Sequence, residues 1–176
     1  MLQRYFRPTW LVKSIYHIKP KDLHRLGIEG IVTDLDNTLL PWHTLDATPE
    51  LLAWVKTLNE GGIKVMILSN NHTERVQRVA DQMNVPFHAS ALKPLRRGLR
   101  SLLKETNLNL DQVVLVGDQL LTDILSANRM GIKSILVQPV TNTDNIFSKV
   151  NRCIERRLIK RFQKSDEEWE WKQRIE

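Results

Sequence analysis

The sequence has one cysteine, Cys153, so it cannot form an intrachain disulfide, and a reducing cytosol is the expected compartment. No apolar run approaches the roughly 20 residues needed to cross a bilayer. The N-terminus lacks the compact apolar stretch and small-residue cleavage site of a secretory signal. Repeats and low-complexity tracts are also missing, which argues against solenoid, fibrous or disordered architectures. What is present is ordinary globular material: 176 residues, 41% apolar and 26% charged. That is enough for one α/β domain with a real core and too little for two of ordinary size.

Net charge is +6, unevenly spread. Residues 1–30 carry six Lys/Arg against two acids, residues 31–140 eleven against eleven, and residues 141–176 nine against seven. The excess sits at the ends, so attraction to an anionic surface is expected there rather than in the body. Three segments follow: an aromatic and basic lead-in at 1–27, a core at 28–140, and a basic amphipathic helix with a charged tail at 141–176. In the lead-in, Tyr5, Phe6, Trp10 and Tyr16 alternate with bases. Such a segment either packs across a sheet or anchors at a membrane interface.

Hydrophobic patterning in the core alternates strand and helix. Ile28, Ile31 and Val32 mark a buried strand, followed by a helix over 49–60 with Thr48 or Asp46 near its start and Gly61-Gly62 at its end. A strand over 63–68, a helix over 73–83 and a short apolar piece at 85–87 come next, then a helix over 95–106. Strands at 113–116 and 135–137 enclose a helix over 121–130. This order predicts a Rossmann-like three-layer α/β fold with a central parallel sheet of about five strands. In such sheets ligands gather at the carboxyl ends of strands.

The reactive residue types fall at those ends. Asp34 and Asp36 follow the first strand, Ser69 and Asn70 the second, and Asp118 the fourth, while Lys93 precedes a helix on the same rim. Taken singly, each has an ordinary structural reading as a turn, a helix cap or a solvated charge. Together they put several carboxylates, one lysine, a hydroxyl and an amide in one place. Crowded carboxylates raise one another's pKa unless a hard cation joins them, and an all-oxygen site of this kind suits Mg²⁺ with a phosphate beside it.

The set Asp34-x-Asp36-x-Thr38, Ser69, Lys93 and Gly117-Asp118-x-x-x-x-Asp123 resembles the four ordered motifs of the haloacid dehalogenase superfamily, over residues 30 to about 138. The resemblance implies that Asp34 is the nucleophile and Asp36 the acid and then base, oriented by Thr38. It also implies Lys93 as neutralising cation, with Thr38, Ser69 and Asn70 on the substrate side. A Mg²⁺ site would be formed by the Asp34 carboxylate, the Asp36 carbonyl and Asp118, with Asp123 assisting the metal or orienting Lys93. Neither the Asp36-to-Ser69 interval nor the Ser69-to-Lys93 interval has room for a cap domain, so a substrate large enough to cover the site itself is expected.

The stretch from Gly27 to Leu39 and the aromatic and basic lead-in resemble the YqeG family of bacterial phosphatases, which is similar to organellar phosphatidylglycerophosphate phosphatases. That closer resemblance implies a phosphate-bearing lipid headgroup as substrate, an anionic membrane surface as partner and a cytoplasmic location, peripheral at the inner face of the membrane. The alternatives are a phosphatase for a protein, a nucleic acid end or a soluble metabolite, and a non-catalytic module that binds RNA or the ribosome through its basic ends.

Overall fold

The computed structural model describes residues 3–141, 146–165 and 169–175. In chain order the elements are α1 (Gln3–Phe6), β1 (Trp10–Val12), α2 (Pro20–Arg25), β2 (Gly30–Thr33), α3 (Pro49–Glu60), β3 (Lys64–Leu68), α4 (Thr73–Met83) and β4 (Phe87–His88). They continue with α5 (Arg96–Lys104), β5 (Val113–Gly117), α6 (Leu125–Met130), β6 (Lys133–Val137) and α7 (Ile146–Ser165). The six strands form one sheet in the order β1-β6-β5-β2-β3-β4, and every neighbouring pair is parallel.

Period-two alternation divides the core between the two faces of this sheet. Ile31, Val65, Ile67, Val114 and Val116 pack with α3 and α4 on one face. Val32, Met66, Leu68 and Leu115 pack with α5 and α6 on the other. Helix α3 shows the local logic. Thr48 Oγ1 accepts from Leu51 N at 3.2 Å, Pro49 opens the helix, and Leu51, Trp54, Val55 and Leu58 are buried. Each such side chain contributes about 1.5–3 kcal/mol on burial.

The sheet has six strands where the patterning predicted about five. The extra one is β1, which pairs with β6 in the register Trp10 to Ile135 and Val12 to Val137. Three residues are too few to show periodicity, and only the partner strand makes them β. The lead-in otherwise packs on the body: Ile15 and Ile18 are buried, Tyr16 meets Trp54 edge-on at 6.4 Å, and Trp54 Nε1 donates to Ile18 O at 3.1 Å. The C-terminal tail covers the open edge of β1, where Lys172 N donates to Leu11 O at 2.9 Å and Lys13 N to Lys172 O at 3.0 Å. Phe162 and Trp169 stack at 5.0 Å, and Ile175 is fully buried.

Strand β2 lies between β3 and β5, where the winding reverses direction. That switch point opens a crevice at the carboxyl ends of β2 and β5. The segments between Asp36 and Ser69 and between Ser69 and Lys93 hold only α3 with β3 and α4 with β4, so no cap domain stands over the crevice among the described residues. No helix of the described residues is long and apolar enough to cross a membrane.

Candidate active site

Strand β2 ends by delivering Asp34, whose backbone N–H still donates to Val116 O at 2.9 Å. The chain then turns tightly, with Asn37 at φ 64° and the N–H groups of Leu39 and Leu40 both donating to Leu35 O. The turn sends Leu35, Leu39 and Leu40 into the core and parts the two aspartates. Once separated, Asp36 has partners of its own. Its Oδ1 accepts from Arg75 NH2 at 3.0 Å and its Oδ2 from Asn71 Nδ2 at 2.8 Å.

Asp34 turns inward. Its Oδ1 lies 2.6 Å from Lys93 Nζ, which also donates to Asp123 Oδ1 at 2.7 Å. Oxygens of Asp34, Asp118 and Asp123 lie within 4.8 Å of one another, and all three residues are buried. Burial, countered by Lys93 and reinforced by the neighbouring Asp123, Asp118 and Asp36 charges, holds the Asp34 carboxyl well above the usual carboxylate range. Burial likewise pushes Asp118 up to about 6, against the lowering pull of Arg152. Burial alone would lower the Lys93 ammonium, but the Asp123 and Asp34 charges outweigh it and hold the group above its ordinary value. The cluster therefore holds more negative charge than one lysine balances, in a set of hard oxygen donors. These residues fit a divalent cation.

Glycine at 117 permits this crowding, because a Cβ there would overlap the Asp123 carboxylate. Residues 120–124 form a wide π-helical turn ahead of α6, where an unbroken α-helix over 121–130 was expected. In this turn Asp123 Oδ2 accepts from Gln119 N at 3.1 Å. Asp123 thus accepts from the lysine at one oxygen and from the backbone at the other, and it also belongs to the acidic cluster.

The structure corrects the role assigned to Thr38. Thr38 does not orient Asp36; its Oγ1 donates to Asp118 Oδ1 at 3.0 Å, and Arg75 with Asn71 takes the orienting part. Asn70 lines the cavity, and its side chain also braces the lysine. Its Oδ1 accepts from Lys93 N at 2.6 Å and its Nδ2 donates to Lys93 O at 3.2 Å, clamping the lysine backbone. The Asp36 carboxylate, held by Arg75 and Asn71, stands outside the acidic cluster. Ser69 is buried at the end of β3 as expected, with Oγ accepting from Asn71 N at 3.1 Å.

A further correction concerns α7. It is helical as expected, but its basic residues are not all on a solvated face. The guanidinium of Arg152 reaches the site, bonding Asp118 Oδ2 through NH2 and Asp118 O through NH1, the latter at 2.7 Å. Glu155 is buried beside it, accepts from Leu121 N at 2.9 Å and is pushed by burial up to about 7. Ile154, placed on the apolar stripe by its spacing, is exposed. The side chains of Ile146, Phe147, Lys149 and Val150 lie outside those described.

Sequence reasoning missed Arg75 and Arg152 because both sit in helices whose polar residues read as solvated.

Asp34, Asp36, Ser69, Lys93, Trp42 and Asn151 are among the residues lining a cavity of about 320 Å³, near the lower end of the roughly 300–1,000 Å³ range of ligand pockets. A larger cavity of about 670 Å³, bordered by Arg96, Arg129 and Lys133, includes none of the carboxylates.

A buried aspartate bonded to a lysine, inside a carboxylate cluster at the switch point of a parallel sheet, is the arrangement of a phosphate-transferring hydrolase. The chain belongs to the haloacid dehalogenase-like hydrolases, whose family profile matches residues 6–131, and within them it is a phosphatase. It is 42% identical over 159 residues to "Probable phosphatase YqeG" of Bacillus subtilis (strain 168), covering 90% of this chain and 92% of that protein. It is 28% identical over 152 residues to "Phosphatidylglycerophosphate phosphatase 1, chloroplastic" of Chlamydomonas reinhardtii, covering 81% of this chain and 56% of that one. The fold also resembles a solved protein from Listeria monocytogenes serotype 4b, with a TM-score of 0.53 at 20% identity over 67% of this chain and 85% of that one.

Proposed function

We propose that this chain is a Mg²⁺-dependent phosphomonoester hydrolase that works through an aspartyl-phosphate on Asp34, with phosphatidylglycerophosphate as substrate and phosphatidylglycerol as product. The observation that carries the reaction is the parting of the two aspartates. Asp34 lies against Lys93, while Asp36 is held two residues on by Arg75 and Asn71. One carboxylate is thus placed to bond phosphorus and the other to handle a proton.

Asp34 and Asp118, with the Asp36 carbonyl, would hold the Mg²⁺, which supplies charge stabilisation to the transferring phosphoryl group. Asp34 attacks phosphorus, the bond to the leaving oxygen breaks, and Asp36 gives that oxygen its proton. In the second half Asp36 takes a proton from water, the water oxygen attacks the phosphoryl group, and the Asp34 carboxylate is released with inorganic phosphate. Lys93 balances the charge around Asp34 in both halves, held by Asp123 and the Asn70 clamp. The lipid assignment is supported by the similarity to the algal phosphatase and by the lack of a cap, since a substrate embedded in a surface covers an open site itself.

The test is phosphate release from a panel of phosphomonoesters, with phosphatidylglycerophosphate in mixed micelles, with Mg²⁺ and with chelator. Metal-dependent release with a clear preference for the lipid is expected. Equal or better turnover of a phosphopeptide, a nucleic acid end or a sugar phosphate would reassign the substrate. Salt-sensitive RNA binding without hydrolysis of any ester would replace the enzyme reading with that of a binding module.

A further inference from the structure

Eight large apolar side chains are exposed among the described residues, and six of them are Trp42, Leu45, Leu92, Leu95, Val140 and Ile154. Scattered apolar exposure is ordinary, but concentration at one end of a fold is not. These six come from the segments that follow β2, β4 and β6 and from α7. Their connections run to the active site. Trp42 lines the cavity, and Asn37 joins it to Val140 by accepting from Trp42 N at Oδ1, 3.3 Å, and from Val140 N at its carbonyl, 2.8 Å. Leu92 and Leu95, 66% and 51% exposed, bracket Lys93 and Pro94. Ile154 stands one helical turn beyond Asn151, which also lines the cavity.

Charge accompanies the apolar tips. Arg96 and Arg97 directly follow Leu95 and are exposed, and Arg156 and Arg157 follow Ile154 in the same state. Helix α5 has no acidic residue. We propose that this rim is the docking surface for an anionic lipid bilayer, seating the open cavity directly over phosphorylated headgroups. The proposal rests on the reading of the substrate as a lipid phosphomonoester. It places the lipid contact on the site rim, shared between the loops of the core and α7, and not on Tyr16, Phe162 and Trp169, which pack on the body.

A bilayer fits this surface better than a protein does. The apolar tips come from four separate segments at the side of the strand ends, with Trp42 at the cavity itself, so a protein partner would have to follow several loops at once, whereas a bilayer meets them together and presents headgroups to the cavity. A tryptophan at the mouth with leucines and arginines beside it is the residue mix that settles at the boundary between headgroups and acyl chains. Arginines outside that boundary meet the negative surface potential of anionic lipid.

The experiment is co-sedimentation of the full chain with vesicles of equal parts phosphatidylglycerol and phosphatidylcholine, and with pure phosphatidylcholine vesicles. The test variant combines Leu45→Asp, Leu95→Asp and Val140→Asp. The control is Leu110→Asp, an exposed leucine before β5 at the opposite end of the sheet. The wild type and the control should partition onto the anionic vesicles, and the triple variant should bind about tenfold more weakly or worse. The triple variant should still hydrolyse a soluble aryl phosphate at the wild-type rate, which separates lost docking from lost folding. Equal binding by the triple variant, equal loss in the control, or a wild type that ignores anionic vesicles overturns the proposal. So does a wild-type dimer that the triple variant dissolves without any vesicle binding. The substrate reading fails separately: vesicle binding through the rim without phosphate release from the lipid sinks that reading and leaves the rim standing.

Discussion

One wall of the site, the carboxyl ends of β2 and β5, carries Asp34, Asp118 and Asp123, while the opposite wall, α7, carries Asn151, Arg152 and Glu155. In the first wall the sheet register fixes Asp34 and Asp118, and the π-helical turn after β5 brings Asp123 beside them. Gly30 and Thr33 of β2 stand beside Val113 and Val116 of β5, so the next residues of both strands emerge side by side. In the second wall no sheet register applies, and two side-chain bonds, Arg152 to Asp118 and Glu155 to the Leu121 amide, join the apolar packing of Leu158, Ile159 and Phe162 in seating the helix. Strand ends place groups by backbone geometry, whereas a docked helix places them by side-chain pairing. The first kind of wall should tolerate little chemical change and the second more.

The largest effect should come from the strand wall. Asp34→Asn should lower kcat for an aryl phosphate by about 10⁴-fold or more, because no other carboxylate in the cavity is free to bond phosphorus. A retained rate would move the nucleophile elsewhere. Asp36→Asn should follow, with a loss of about 10²–10⁴-fold, the usual range for removing a proton-transfer group. A leaving group that needs no proton, such as an activated aryl oxide, should recover part of the first-half rate in burst kinetics.

The two arginines sharpen the comparison. Arg75→Met removes the buried partner of the half-buried Asp36 and should cost about 1–3 kcal/mol of stability, read in urea unfolding, while also lowering kcat through a loosened Asp36. Arg152→Met acts from the helix wall and should cost about 10–100-fold in activity or apparent metal affinity, as outer-shell changes around metal ligands do. An Arg152 variant with unchanged metal affinity and activity would reduce α7 to packing.

The smallest effect is a pH slope. Glu155 ionises near pH 7 in the fold against an ordinary value of 4.5, so the folded state binds the proton more tightly than the unfolded chain. Stability should therefore fall as pH rises from about 4.5 to about 7, and Glu155→Gln should flatten that slope in thermal melts. A slope unchanged in the variant would show that Glu155 does not set it.

Much of this site was legible before the structure. Asp34, Asp36, Ser69, Lys93 and Asp118 announce themselves because strand ends are readable as places where apolar alternation stops, and helix α3 was bounded to the residue by Thr48, Pro49 and Gly61. Strand β1 was not legible, since three residues at an edge carry no period and become β only beside β6. Arg75 and Arg152 were not legible either, because an arginine on an amphipathic helix has the same sequence signature whether it meets water or a carboxylate across the fold.

The layer order, the strand ends and the crowding of carboxylates there follow from local periodicity and from residues adjacent in the chain. Tertiary structure alone decided how that charge is shared out. Asp36 goes to Arg75, Asp118 to Thr38 and Arg152, and Lys93 sits between Asp34 and Asp123. These partners lie 30 to 80 residues apart, and only packing the helices onto the sheet brings them within hydrogen-bond reach.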